Sequence, residues 1–236
     1  MKLSIIIPVY NEEKTISALL KRVHGASLPQ GVEKHIVVVD DGSTDRSVEV
    51  VTSLKSIGPI RIVKHPKNKG KGAAVRSGLE KADGDIILIQ DADLEYDPRF
   101  YTSLLTPILK GKHKVVYGSR LRTMRLVLFG KDKTPFPFHF LANKMLSLVT
   151  NILHGSNLTD METCYKVFTR EVCKAIQPLK ADKFDIEPEI TARILRKGYA
   201  IHEVDIVTTP RSYKEGKKIH WHDAFAAIYT LIKHKI

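Results

Sequence analysis

Asp85-Ile86-Ile87-Leu88-Ile89-Gln90-Asp91-Ala92-Asp93-Leu94-Glu95 joins an unbroken aliphatic run to three carboxylates within five residues. Four aliphatic residues without polar alternation fit a strand covered on both faces, as in a parallel sheet with helices on each side. His35-Ile36-Val37-Val38-Val39-Asp40 repeats the pattern and again ends in a carboxylate. Further strands are expected at Leu3–Ile7, Ile60–Val63 and Lys114–Tyr117. Helical spacing lies between them: Glu13–His24 carries Ile16, Leu19, Leu20 and Val23, and Thr44–Lys55 carries Val48, Val51 and Leu54. This alternation predicts an α/β fold, a doubly wound, mostly parallel sheet flanked by helices.

Beyond residue 120 the pattern changes to a helix over Phe136–Leu153, a strand over Thr163–Phe168, helices over Arg170–Ile176 and Ile186–Arg196, a strand over Ala200–Val207 and a helix over Trp221–Lys233. No Gly-, Pro- or Ser-rich linker and no repeat interrupts the chain, so residues 1–236 are expected to form one domain, with 1–120 as a ligand-binding half and 121–236 as an extension. With 43% hydrophobic and 27% charged residues among 236, the chain has material for an ordinary core. No apolar run approaches the ~20 residues that cross a bilayer. The first residues turn acidic too soon for a signal peptide, so a cytoplasmic protein is expected. Cys164 and Cys173 lack metal or redox spacing and read as reduced packing thiols.

Ligands of doubly wound sheets bind at the carboxyl ends of the strands, which makes the strand-end residues the candidate site. Asp91 and Asp93, separated only by Ala92, repel one another unless a cation joins them. Carboxylate oxygens suit Mg²⁺ or Mn²⁺, which are commonly shared with a diphosphate, with Glu95 as a further ligand or an outer contact. A calcium loop does not fit, because Tyr96 and Thr102 occupy the positions that need Gly and Glu. The competing reading is an acidic turn that caps a helix starting near Pro98. Asp40 and Asp41 precede Gly42-Ser43-Thr44 and suit a base N–H or ribose hydroxyls, or else a helix cap. Asn68-Lys69-Gly70-Lys71-Gly72-Ala73-Ala74-Val75-Arg76 combines glycines that admit a backbone to phosphate with cations that neutralise it. Val75 replaces the last glycine of a dinucleotide fingerprint, and neither a P-loop, a Gly-x-Ser-x-Gly elbow nor an HExxH motif occurs.

Taken in order, Pro8-Val9-Tyr10-Asn11-Glu12, Asp40-Asp41-Gly42-Ser43, Asn68–Gly78 and Gln90–Tyr96 resemble the motifs of family 2 glycosyltransferases with the GT-A fold. Gly118-Ser119-Arg120, Asp160-Met161-Glu162-Thr163-Cys164-Tyr165-Lys166-Val167-Phe168 and Pro210–Lys218 resemble the dolichyl-phosphate mannose synthase and polyprenyl-phosphate glucosyltransferase group. The resemblance implies inverting, metal-dependent transfer of one hexose from a nucleotide sugar, GDP-mannose or UDP-glucose, to a polyprenyl phosphate. It places Pro8, Tyr10, Glu12, Asp40 or Asp41, Lys71 and Ala92 at the nucleotide sugar, Asp91, Asp93 and Glu95 at Mg²⁺ or Mn²⁺, and Arg120, Arg211 and Lys217 at phosphates. Asp91, Asp93, Arg120 and Arg211 are then the catalytic set, with 1–120 the nucleotide-sugar half and 121–236 the acceptor side. A lipid phosphate is already an anion and needs no protein base, so positioning and charge stabilisation carry the rate. Asp160 or Glu162 holds a sugar hydroxyl or orients a basic residue. The QxxRW signature of processive synthases is absent.

The +12 net charge, 38 Lys and Arg against 26 Asp and Glu, taken alone suggests a nucleic-acid-binding module. The acidic strand ends have no place in that reading, and no nucleic-acid partner is expected. A sugar transferase with a soluble or protein acceptor shares the donor half and stays open. One basic cluster runs from Arg61 to Arg76; another, from Lys110 through Lys131 and Lys133, leads into Phe136, Phe138 and Phe140. Cations beside bulky apolar residues fit an anionic membrane surface, hence peripheral attachment at the cytoplasmic face, or else a solvated face beside a core helix. The last helix, with Phe225, Ile228 and Ile232, admits the same two readings, and His220-x-His222 is not read as a metal pair.

Overall fold

The computed structural model describes residues 1–54, 58–127, 129, 134, 136–211 and 223–235. The aliphatic runs form β1 (Lys2–Val9), β2 (Glu33–Asp40), β3 (Ile60–Lys64), β4 (Ile86–Ile89) and β5 (Val115–Ser119), followed by β6 (Lys166–Thr169) and β7 (Ile201–Asp205). They make a seven-stranded sheet in the order β3-β2-β1-β4-β6-β5-β7. β6 is antiparallel to β4 and β5, and the other pairings are parallel. The expected α/β architecture holds.

α1 (Ile16–Gly25), α2 (Ser47–Ser53), α3 (Lys71–Lys81) and α4 (Tyr101–Leu109) alternate with the first five strands. The face predicted for α1 is the one buried, with Ile16, Leu19, Leu20 and Val23 each inaccessible. Each such aliphatic side chain contributes about 1.5–3 kcal/mol on burial. α2 begins later than its apolar spacing suggests: the Thr44 and Arg46 N–H groups donate to Asn11 Oδ1 (2.8 Å) and Glu13 Oε2 (3.0 Å), binding the neighbouring loop instead of opening a helix. These bonds tie the end of β1 to the end of β2.

The reversal of β6 matters for the site. An antiparallel strand starts at the edge where its parallel neighbours end, so Asp160–Tyr165 enters beside the ends of β4 and β5, with Gly118 N–H donating to Tyr165 O (2.9 Å). β7 ends at the same edge, where Thr209 N–H donates to Glu95 O (3.1 Å) and delivers Arg211.

α5 (Pro137–His154), α6 (Arg170–Ala175), α7 (Ile186–Arg196) and α8 (Asp223–Lys233) complete the described helices. α5, α7 and α8 enclose a small core of Leu146, Met161, Ala192, Ala227 and Leu231. The outer face of α5 leaves Phe138, Leu141, Met145, Leu148 and Ile152 exposed, a stripe at helical spacing, and α8 exposes Phe225, Tyr229 and Ile232. The core reading holds for the inward faces of these helices. Phe140 is buried, and Ile228 packs against the small core, because the inward face of each helix is needed to close it. Among the described residues no helix is long and apolar enough to cross a membrane. Lys131, Lys133, His220, Trp221 and His222 lie outside the described residues.

Candidate active site

The acidic turn after β4 is held from beneath by Gln90, which is fully buried. Its Nε2 donates to the carbonyls of Asp91 (3.0 Å) and Tyr96 (3.2 Å), while its Oε1 accepts from Tyr101 Oη (2.8 Å) and Tyr165 Oη (2.7 Å). Leu94 adopts φ +64°, a left-handed conformation costly for a branched side chain, and Asp93 Oδ1 accepts Glu95 N–H (3.1 Å) across the bend. Capping of the 3₁₀ turn Pro98–Phe100 falls to Asp97, whose carboxylate accepts Arg99 N–H (2.9 Å). Asp91 and Asp93 are thus not needed as helix caps.

Among the described residues, two cations stand among these carboxylates. Lys71 Nζ lies 2.8 Å from Asp91 and 3.0 Å from Glu187 on α7. Arg211 reaches Asp93 (3.0 Å), Glu12 (3.2 Å) and Glu95 (3.8 Å), and its backbone N–H donates to Glu95 Oε1 (3.1 Å). Burial works against the charged form of Lys71, but Asp91 and Glu187 outweigh it and raise its pKa. For Asp91 burial is likewise overcome, here by Lys71, and its pKa is lowered. Asp93 behaves differently: burial, then Asp91 and Glu95, push it up to about 7.

Among the described residues no three His, Cys, Asp or Glu side chains converge as a metal cage. Glu95, like Asp93, is engaged with Arg211, at 3.8 Å against 3.0 Å. The aspartate pair still fits Mg²⁺ or Mn²⁺, which typically take one or two protein carboxylates and complete their shells with substrate phosphate and water. Burial, Asp91 and Glu95 raise Asp93 even with Arg211 beside it, an environment in which a further cation would favour its charged form.

The loops after β1 and β2 are built around Asn11, at φ +54°, whose N–H donates to Ser43 Oγ (3.0 Å). Glu12 N–H donates to Ser47 Oγ (2.8 Å), which turns the Glu12 carboxylate toward Arg211. Pro8 pairs with Val39 in the sheet, and Tyr10, half-buried, follows the strand. The two aspartates at the end of β2 divide their work. Asp41 accepts the N–H groups of Lys69 (3.0 Å) and Gly70 (2.7 Å) and contacts His65 Nδ1 (2.6 Å), so its oxygens hold the loop into α3. Asp40 accepts Ser43 N–H at 3.3 Å and is the member of the pair less occupied by protein.

The glycines at the start of α3 are required by close packing. Gly70 sits at φ +100°, and a Cβ there, or on Gly72, runs into the carbonyls of Asp182 and Ala181. The glycines let the start of α3 pack against residues 181–182, which brings Glu187 to Lys71. In this loop Lys71 is the group that meets the acidic turn.

Arg120, after β5, is gripped by fully buried Asp160 through Nε (2.7 Å), Nη2 (2.8 Å) and its own backbone N–H (2.9 Å), and lies 5.7 Å from the Tyr96 ring. Glu203 on β7 in turn accepts the N–H groups of Thr159 and Asp160 at 3.0 Å each. Of the two acidic residues, Asp160 is the one bonded to Arg120 and fixes its orientation. Glu162 has a buried oxygen without a hydrogen-bond partner among the described residues, and burial, opposed by Lys166, raises its pKa to about 7. Lys217 lies outside the described residues. Sequence reasoning passed over Gln90, Glu187 and Lys166, which act from inside the sheet or from a distant helix. An uncompensated polar residue in each apolar run, Gln90 after Ile89 and Lys166 before Val167, was the available signal.

Residues 4–176 match the family model described as Glycosyl transferase family 2. A dolichol-phosphate mannosyltransferase of Pyrococcus furiosus is 39% identical over 120 residues, 51% of this chain and 33% of that protein, so the match spans about a third of that relative. A UDP-N-acetylglucosamine–dolichyl-phosphate N-acetylglucosaminyltransferase of Methanococcus voltae is 26% identical over 98% of this chain and 95% of its own length. Among solved structures, glucosyl-3-phosphoglycerate synthase of Mycobacterium tuberculosis with Mg²⁺ and UDP superposes with a TM-score of 0.71 at 23% identity, covering 99% of this chain and 79% of that one. The same enzyme with Mn²⁺, UDP-glucose and phosphoglyceric acid gives a TM-score of 0.69 at 22% identity, covering 99% and 79%. These likenesses show the GT-A fold.

Proposed function

The chain belongs to glycosyltransferase family 2, and from that premise we propose that it transfers one hexose, with inversion, from a nucleotide sugar such as GDP-mannose or UDP-glucose to a polyprenyl phosphate, using Mg²⁺ or Mn²⁺. The observation that carries the reading is the meeting of Asp91 and Asp93 with Lys71 and Arg211 at the carboxyl edge of the sheet. The aspartates would hold the metal, which when bound supplies charge stabilisation to the leaving diphosphate. Lys71 neutralises the same diphosphate from the α3 side. Asp40, Glu12, Pro8 and Tyr10 line the nucleoside end, at the tips of β1 and β2. Arg120, held in one orientation by Asp160, and Arg211 align the acceptor phosphate through guanidinium geometry, which favours bidentate anion contact.

Two features favour a lipid acceptor over a soluble one. The two relatives named above act, by name, on dolichol or dolichyl phosphate. The exposed stripe Phe138, Leu141, Met145, Leu148 and Ile152, with Phe225, Tyr229 and Ile232, lies near exposed Arg122, Arg125, Lys233 and Lys235 in sequence and provides apolar contact plus cations for an anionic bilayer. A soluble phosphorylated acceptor, as in the named structural neighbour, is the second reading. Labelled GDP- and UDP-sugars with either a short polyprenyl phosphate or 3-phosphoglycerate, in Mn²⁺, separate the two. The proposal expects label in the lipid extract; label on phosphoglycerate alone selects the second reading.

A further inference from the structure

The charges that meet Asp91 continue inward past Lys71. Glu187, in the first turn of α7, is buried between two ammonium groups, Lys71 Nζ at 3.0 Å and Lys166 Nζ at 2.8 Å. Lys166 is fully buried and spends its remaining donors on the carbonyls of Met161 (2.8 Å) and Thr163 (2.5 Å), with the Tyr117 ring 4.7 Å away. Lys166, Glu187, Lys71 and Asp91 therefore form a row of alternating sign that runs from the sheet interior to the metal-binding turn. Buried ion pairs of this kind seldom add net stability over an apolar filling, so the row is better explained by the site at its end.

Glu187 is fixed independently of that site. Its carbonyl accepts Thr191 Oγ1 (2.9 Å), Thr191 Oγ1 contacts Tyr117 Oη (3.0 Å), and the packing of Gly70 and Gly72 on residues 181–182 sets the approach of α7 to α3. Lys71 is the shared member, with a carboxylate on either side. With a divalent cation at Asp91, the Lys71 ammonium would be repelled there and would keep Glu187 as its counter-ion.

We propose that Glu187 is a positioning residue of the donor site: it retains Lys71 beside the metal when the cation takes Asp91, keeping that ammonium available to the leaving diphosphate. The inference rests on the donor-site reading given above. Without Glu187, Lys71 has Asp91 as its anionic partner and opposes the metal there.

The test is Mn²⁺ binding in the presence of UDP or GDP, read from the free-Mn²⁺ electron paramagnetic resonance signal, in wild type, Glu187→Gln, Lys71→Met and the double variant. Glu187→Gln is expected to weaken Mn²⁺ binding by about tenfold, in the range found for groups that support metal ligands. Lys71→Met in the Glu187→Gln background is expected to restore binding to that of Lys71→Met alone, a rescue that a merely structural glutamate does not give. If Glu187→Gln fails to fold because Lys166 is stranded, Lys166→Met/Glu187→Gln removes both buried partners and is measured in its place, with and without Lys71→Met. Unchanged Mn²⁺ affinity in the glutamate variants, or no rescue by Lys71→Met, overturns the inference while leaving the donor site intact. Absence of Mn²⁺ binding by the wild-type protein overturns the donor-site reading and the inference with it.

Discussion

Asp160→Ala tests the geometry on the acceptor side. Asp160 is inaccessible to solvent and accepts three bonds from Arg120, at 2.7, 2.8 and 2.9 Å. The guanidinium it holds is itself mostly buried, with 17% of its side chain exposed, so removal of the carboxylate strands a charge that water only partly reaches. Breaking such a pair from one side costs about 3–5 kcal/mol, and the partial exposure of Arg120 points to the low end, about 3 kcal/mol. For a chain of this length that corresponds to a fall in Tm of about 6–12 °C. Replacing both partners, Arg120→Met with Asp160→Leu, removes the stranded charge and should recover most of the lost stability, because an apolar pair of similar volume is often neutral. Transfer activity should stay lost in both proteins, since Arg120 is absent from one and unoriented in the other. Thermal denaturation and a transfer assay on the same samples decide the matter. A Tm change under about 2 °C for Asp160→Ala, or a double variant as unstable as the single, refutes the argument that Asp160 exists to hold Arg120; normal transfer by the double variant reduces Arg120 to a structural role.

Asp91→Asn and Asp93→Asn are each expected to abolish transfer with the fold retained by circular dichroism, and EDTA to do the same to wild type; full activity in any of these contradicts the metal assignment. Burial and its acidic neighbours raise Asp93 to about 7, so it must lose a proton to take a cation, and Mn²⁺ affinity should fall about tenfold per pH unit below about pH 7, as measured by calorimetry. The same shift sets the sign for stability without metal: the folded protein holds a proton that the unfolded chain releases above about pH 4, so this group lowers stability as pH rises from about 4 to 7, and Asp93→Asn should flatten that part of the Tm–pH curve. Vesicles containing anionic lipid should sediment the protein at low salt, Phe138→Asp with Ile152→Asp should weaken that binding, and ~1 M salt, with a Debye length of about 3 Å, should release much of it; equal binding by the variant sends the attachment to another face.

Local pattern carried the strands and the buried face of α1, because an aliphatic run or a spacing of three and four fixes which side faces the core. The acidic turn was visible for the same reason: carboxylates at the end of a buried strand have no packing role. Less legible was everything set by the order of the strands. The antiparallel insertion of β6 brings Asp160 and Glu162 to the site ahead of a strand instead of after it, and nothing in Lys166–Thr169 announces the reversal. Asp40 and Asp41 look alike in sequence, yet Asp40 closes β2 while Asp41 lies just beyond it and meets the loop of Lys69 and Gly70. The glycines at 70 and 72 suggested phosphate, while their close packing on the 181–182 backbone, a contact between segments more than a hundred residues apart, left no local signal.

The proposed reaction moves a sugar from a nucleotide to a lipid phosphate under metal control. Incubation with radiolabelled GDP-mannose and, separately, UDP-glucose and a short-chain polyprenyl phosphate, with Mn²⁺ or with EDTA, followed by organic extraction, measures it directly. The account predicts label in the lipid phase from at least one donor, present with Mn²⁺, absent with EDTA and absent in Asp93→Asn. Lipid-phase label undiminished by EDTA, or label confined to a soluble acceptor across both donors, would contradict it.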